Sequence, residues 1–154
     1  MLLSINGYRS NNKFMADTID RASRFYADTL LGKRMSKHLI VDITLINNMK
    51  AKEDAYGYCS ITGDVKKPRE FEIEIDASKE HILEDLLIWL AHEFVHLKQF
   101  VRLELFDYES GSVQWKSRAF SATSIDEETA PWEKEAYRLE DKLYLQFQNT
   151  EITV

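Results

Sequence analysis

With 154 residues, 44% of them hydrophobic and 30% charged, the chain has the make-up of an ordinary globular protein, enough for one domain with its own core and little room for a second. A net charge of −6, with Lys66-Lys67-Pro68-Arg69 as the one basic cluster, argues against independent nucleic-acid binding. No stretch approaches the apolar length of a membrane span, Met1-Leu2-Leu3-Ser4-Ile5 is too short for a signal peptide, and the single Cys59 excludes an intramolecular disulfide, so a cytoplasmic location is expected.

In chain order, Asn12 to Leu31 reads as an amphipathic helix with Met15, Ile19, Ala22, Tyr26 and Leu30 on one face and Gly32 as its stop. Leu39 to Ile46 alternates like a strand, with Leu39, Val41, Ile43 and Leu45 on one side. Ala55 to Ile61 is a second strand, ended by Thr62-Gly63-Asp64, and Cys59 reads as a small buried residue within it. Arg69 to Asp76 is a third, with Phe71, Ile73 and Ile75 facing inward and Glu70, Glu72 and Glu74 outward. Asp76 or Ser78 should cap the long apolar helix that follows. Ser112 to Trp115 and Arg118 to Phe120 look like a short hairpin. Pro131 opens a last helix running to about Phe147, with Glu133 and Glu135 suited to the positive end of its dipole. The order helix, three strands, helix, hairpin, helix predicts an α+β domain with a small three-stranded sheet.

The long apolar helix contains His92-Glu93-Phe94-Val95-His96. Two histidines four apart leave one side of a helix together, so their imidazoles can converge on one zinc ion, and Glu93 can take a proton from the zinc-bound water. On a helical wheel Leu83, Leu86, Leu87, Leu90, Phe94, Leu97 and Val101 form the core stripe, and His92 and His96 face away from it. Ile88, Trp89, Val95 and Phe100 flank the histidines, so this side too should be covered, and buried polar groups there need partners. The alternative is a pair of core histidines satisfied by hydrogen bonds. Catalytic zinc takes three protein ligands and keeps a fourth position open. A carboxylate in the first turn of the last helix could be the third, which makes Glu133 the candidate and Glu135 the runner-up, ahead of Asp126, Glu127 and Glu128. His38 and His81 read as incidental, His81 lying in the first turn of the histidine-bearing helix.

A His-Glu-x-x-His helix followed by Glu133-Lys134-Glu135-Ala136-Tyr137 resembles the gluzincin zinc metallopeptidases, in which the first Glu of Glu-x-x-(Ala/Ser)-Asp is the third ligand. The Asp of that pattern is Tyr137 here, which leaves open what accepts the second N–H of a ligand histidine. Tyr56-Gly57-Tyr58-Cys59-Ser60-Ile61 and Glu72-Ile73-Glu74-Ile75-Asp76, ahead of the helix, are similar to the front half of SprT-like metallopeptidase domains, and the combination resembles small metallopeptidases of bacteriophages. The resemblance implies a minimal zincin-like domain acting on a protein or peptide in a bacterium or a phage-infected host. It implies one Zn2+ per chain on His92, His96 and Glu133, with Glu93 as general base. It also implies that Tyr56 to Ser60 form an edge strand that pairs with extended substrate. Tyr108, Tyr137 and Tyr144 are the candidates for steadying the oxyanion. A zinc-binding interaction protein without catalysis, and a zinc hydrolase of a non-peptide substrate, are the competing expectations.

Overall fold

The computed structural model describes residues 1–107, 111–121 and 125–152. In chain order these form β1 (Leu2–Gly7), α1 (Lys13–Leu31), α2 (Lys33–Ser36), β2 (Ile40–Ile46), α3 (Met49–Glu53), β3 (Gly57–Ile61), β4 (Glu70–Asp76), α4 (Leu83–Val101), β5 (Leu105–Asp107), β6 (Ser112–Trp115), β7 (Arg118–Ser121) and α5 (Pro131–Ile152). The class is α+β: five helices, a four-stranded mixed sheet and a three-stranded antiparallel sheet among the described residues.

The main sheet runs β1-β2-β4-β3, one strand more than the sequence pattern suggests. The addition is β1, which lies parallel to β2 with Ile5 opposite Ile43. It escapes a periodicity reading because it is an edge strand with no fully buried residue, and its polar Ser4 bonds to Asp42 on β2. β2 and β4 are parallel, and β3 pairs antiparallel to β4, which among the described residues makes it the other edge. Leu39, Val41, Ile43, Leu45, Phe71, Ile73 and Ile75 are all buried, as their alternation predicts. Glu70, Glu72 and Glu74 alternate with them toward the other, more open face.

Helices α1 and α4 pack on the apolar face, and α5 packs on both. α1 is capped by Asn12, whose Oδ1 accepts from Met15 N at 3.1 Å. Tyr26 on α1 is fully buried, meets Phe94 of α4 at 6.1 Å between ring centres, and donates its hydroxyl to the Leu87 carbonyl at 3.0 Å. Truncating Phe94 would open a cavity at this junction and cost about 3–5 kcal/mol.

Two local expectations are corrected. Neither Asp76 nor Ser78 caps α4, which starts at Leu83 after Ile82 with no side-chain cap; His81 therefore precedes the helix. The fully buried Asp76 instead accepts from Ser78 N at 3.1 Å and from Lys50 N at 2.9 Å, and Ser78 Oγ accepts from Asn48 N at 2.8 Å. These bonds tie the end of β4 to the start of α3, and so help to set where β3 begins. The hairpin β6-β7 is present, but β5 extends it to three strands, pairing Leu105 with Trp115. Its turn, Lys116-Ser117, has both residues at positive φ (46° and 72°), a conformation usually given to Asn-Gly.

Candidate metal centre

His92 and His96 leave α4 one turn apart, and Glu133 comes from the first turn of α5, which packs along α4. Glu133 Oε1 lies 3.2 Å from His92 Nε2 and 2.7 Å from His96 Nε2. This is the one group of three or more His, Cys, Asp or Glu among the described residues that could hold a metal ion, its ligand atoms all within 4.8 Å of one another.

The donor set fits a divalent ion of the zinc kind. With metal–ligand bonds of roughly 2.0–2.1 Å, two ligands at tetrahedral positions stand about 3.3 Å apart. The His92–Glu133 separation already matches, and the His96–Glu133 separation needs about half an ångström of carboxylate movement. Both histidines also have an acceptor for their other nitrogen. His92 Nδ1 lies 2.8 Å from Glu140 Oε2, and His96 Nδ1 lies 2.9 Å from Gln99 Oε1. Gln99 is fully buried, and its amide nitrogen donates to the Trp132 carbonyl at 3.0 Å and to Glu135 Oε1 at 3.2 Å. Its oxygen must therefore accept, so His96 donates from Nδ1 and turns Nε2 toward Glu133. Glu140 imposes the same tautomer on His92.

These acceptors are the residues the sequence reading missed. Gln99 stands three positions after its partner His96 on one face of α4, and Glu140, the partner of His92, stands seven after Glu133 on one face of α5; helical spacing could have raised Gln99, while Glu140 also needed the packing of α5 on α4. They supply the acceptors that the sequence, with Tyr137 four positions after Glu133, left open.

Glu135, the runner-up, is engaged elsewhere. It bonds Lys98 Nζ at 2.6 Å as well as Gln99, and Lys98 also holds Glu104 at 2.8 Å. Burial would raise the Glu135 carboxyl, but these bonds prevail and hold it below its usual range.

Without metal, protons hold the triad together. Burial opposes the His92 cation, yet its bonds to Glu133 and Glu140 prevail and lift the imidazole to about 10. His96 is likewise raised, burial again opposing and Glu133 prevailing. The same two histidines overcome the burial of Glu133 and pull it down to about 2. A metal ion at this point would replace protons on a site whose negative charge is already developed.

Glu93 points toward β3. It is 6% exposed and makes no hydrogen bond among the described residues, and its burial raises the carboxyl to about 7 despite the nearby histidines. Its passage depends on Gly57, where an added Cβ would come within 3.1 Å of both Glu93 Cγ and the Glu74 carbonyl. Cys59 lies beside it, and burial, helped by the Glu93 charge, pushes its thiol well above the ordinary range, so it is a poor nucleophile.

In front of the triad lies a cleft of about 520 Å³, with Gly57, Tyr58 and Cys59 on one side and Trp132 and Ala130 on another. Ser60 is not among the lining residues, and Tyr56 precedes β3, stacked on Trp89 at 4.1 Å in an adjoining groove. Tyr137 shares that groove, half-exposed, with its ring edge-on to His92 at 4.7 Å. Tyr144 belongs to the core with Tyr26 and Phe147 and does not line the cleft. Tyr108 lies outside the described residues. Asp126 and Glu127 border the cleft, and Glu128 is exposed.

The chain was compared with protein-family models, curated proteins and solved structures. None matches. No helix among the described residues is long and apolar enough to cross a membrane.

Proposed function

We propose that the chain is a zinc-dependent metallopeptidase that hydrolyses peptide bonds in a protein or peptide substrate. The observation that carries this reading is the convergence of His92 Nε2, His96 Nε2 and Glu133 Oε1 at the head of a cleft into which the buried Glu93 projects. A purely structural histidine pair would not account for a largely buried carboxylate beside it that has no hydrogen-bond partner among the described residues and faces the cleft. The gluzincin-like and SprT-like motifs in the sequence support the same assignment.

His92, His96 and Glu133 would hold the ion, oriented by Glu140, Gln99 and the packing of α5 on α4. Zinc bound there would polarise the scissile carbonyl and acidify a water. Glu93, buried beside the triad and facing the cleft, would serve as the base that accepts a proton there and returns it to the leaving amine. β3, paired on one side only, is available to align an extended substrate backbone, and Tyr137 is the tyrosine of the candidate set beside a ligand histidine.

Metal analysis of the purified chain tests the first half: one zinc per chain is expected, lost in Glu133→Ala and retained in Glu135→Ala and Glu93→Gln. Hydrolysis of an unfolded protein such as casein tests the second, present in the wild type and absent in Glu93→Gln. Failure to take up zinc after reconstitution would remove the metal centre. Zinc uptake with no hydrolysis of casein or of ester substrates favours a binding role, and ester cleavage alone favours a non-peptide hydrolase.

A further inference from the structure

The cleft in front of the triad has an acidic border. Glu53 and Asp54 meet it where α3 leads to β3, Asp107 meets it at the end of β5, and Asp126 and Glu127 meet it ahead of α5. All five are exposed, and no Lys or Arg lines the cleft among the described residues. Among the described residues only Asp54 of these has a cationic partner, Lys50 at 2.8 Å. Unpaired like charges gathered round a concavity repel one another and focus a negative potential into it.

A second feature points to the occupant. Glu93 is nine-tenths buried, projects into the same cleft and makes no hydrogen bond among the described residues. Its carboxylate therefore faces whatever enters the cleft, water included. Phe100, Leu105, Val113 and Trp132 supply apolar lining between the acidic positions. The cleft thus offers contact to an apolar side chain with negative charge around it.

We infer, on the peptidase reading, that the cleft takes a cationic polypeptide segment, an apolar residue flanked by Lys or Arg, and disfavours acidic segments. The discrimination is electrostatic and comes from exposed carboxylates, so it weakens with salt.

The test uses two fluorescent decapeptides of one sequence, with a central Leu flanked by Lys in one and by Glu in the other. Their binding to zinc-loaded Glu93→Gln protein is followed by anisotropy. The Lys peptide should bind at least about tenfold tighter. Adding Asp107→Asn, Asp126→Asn and Glu127→Gln should erase most of that margin, at about threefold per carboxylate, while zinc stoichiometry stays at that of the parent. Equal binding of the two peptides, or a margin untouched by the triple substitution, overturns the inference. Wild-type cleavage of the same peptides separates the two levels of argument. Charge-selective binding without cleavage removes the peptidase reading alone. Cleavage indifferent to charge removes this inference alone, and neither binding nor cleavage removes both.

Discussion

Gln99→Leu takes away the acceptor on His96 Nδ1 and leaves every candidate ligand in place. In the wild type that nitrogen lies 2.9 Å from Gln99 Oε1, and the amide nitrogen bridges the Trp132 carbonyl at 3.0 Å and Glu135 at 3.2 Å. Gln99 is fully buried, so water cannot readily replace these bonds. Glu135 keeps Lys98, so the groups left unsatisfied are chiefly His96 Nδ1 and the Trp132 carbonyl. At about 1–3 kcal/mol for each buried polar group without a partner, the metal-free fold should lose roughly 2–6 kcal/mol. Losing the acceptor of a metal-bound histidine typically weakens metal affinity by about 10–100-fold. Gln99→Glu separates the two effects. It keeps an oxygen for His96 but faces Glu135 with a like charge and deprives the Trp132 carbonyl of its donor. Zinc affinity should stay close to the wild-type value while stability falls. Competition with a chromogenic chelator measures the first quantity, and urea unfolding in EDTA the second. Zinc affinity in Gln99→Leu within twofold of wild type, or equal weakening in both variants, would refute the positioning role.

Two further outcomes follow from the charges at the site. The Glu93 carboxyl rises from an ordinary 4.5 to about 7 in the fold, so between those values the unfolded chain gives up a proton that the native chain keeps. The native state loses up to about 3 kcal/mol as pH rises through that window, and Glu93→Gln, which cannot ionise, should gain on the wild type by that amount between pH 5 and 8 in EDTA. A gap in unfolding free energy that is constant with pH would contradict this. For His92 the sign is opposite: a cation stabilised to about 10 supports the metal-free fold fully below about pH 6.5 and progressively less as pH rises toward 10. Zinc must displace that proton, so its affinity should climb with pH, and calorimetry in buffers of different ionisation enthalpy should register release of about one to two protons per ion. Uptake with no proton release would mean that the histidines are not the ligands.

Much of this architecture is written in periodicity. β2 and β4 alternate cleanly because one face lies on the core, and α1 and α4 show continuous apolar stripes for the same reason. Edges and joints are harder to read. β1 has no buried residue to give it a period, β5 is three residues long, and the Lys116-Ser117 turn carries no glycine to announce it. At the site, the two histidines follow from spacing within one helix. The choice between Glu133 and Glu135 does not, since both suit a helix start; it depends on Lys98 and Gln99 engaging Glu135. The Gln99 acceptor lies three positions after His96 on the same helix, but the Glu140 acceptor depends on how α5 lies along α4, a relation between segments that no single stretch of sequence encodes.

The way the site is divided between helices has a consequence for the population of competent molecules. His92 and Glu133 stand 41 positions apart, and of the 22 residues of α5 only Glu133, Ala136, Leu143, Tyr144 and Phe147 are buried. Docking of this helix along α4 is the step that completes the site, and an undocked form lacks Glu133. An ion that binds only the docked form would shift this equilibrium by mass action, by about 2.7 kcal/mol at a hundredfold excess over its dissociation constant. Metal supply would then set the fraction of chains in which α5 is closed. A chain with that helix frayed would lose both Glu133 of the candidate triad and the Trp132 wall of the cleft.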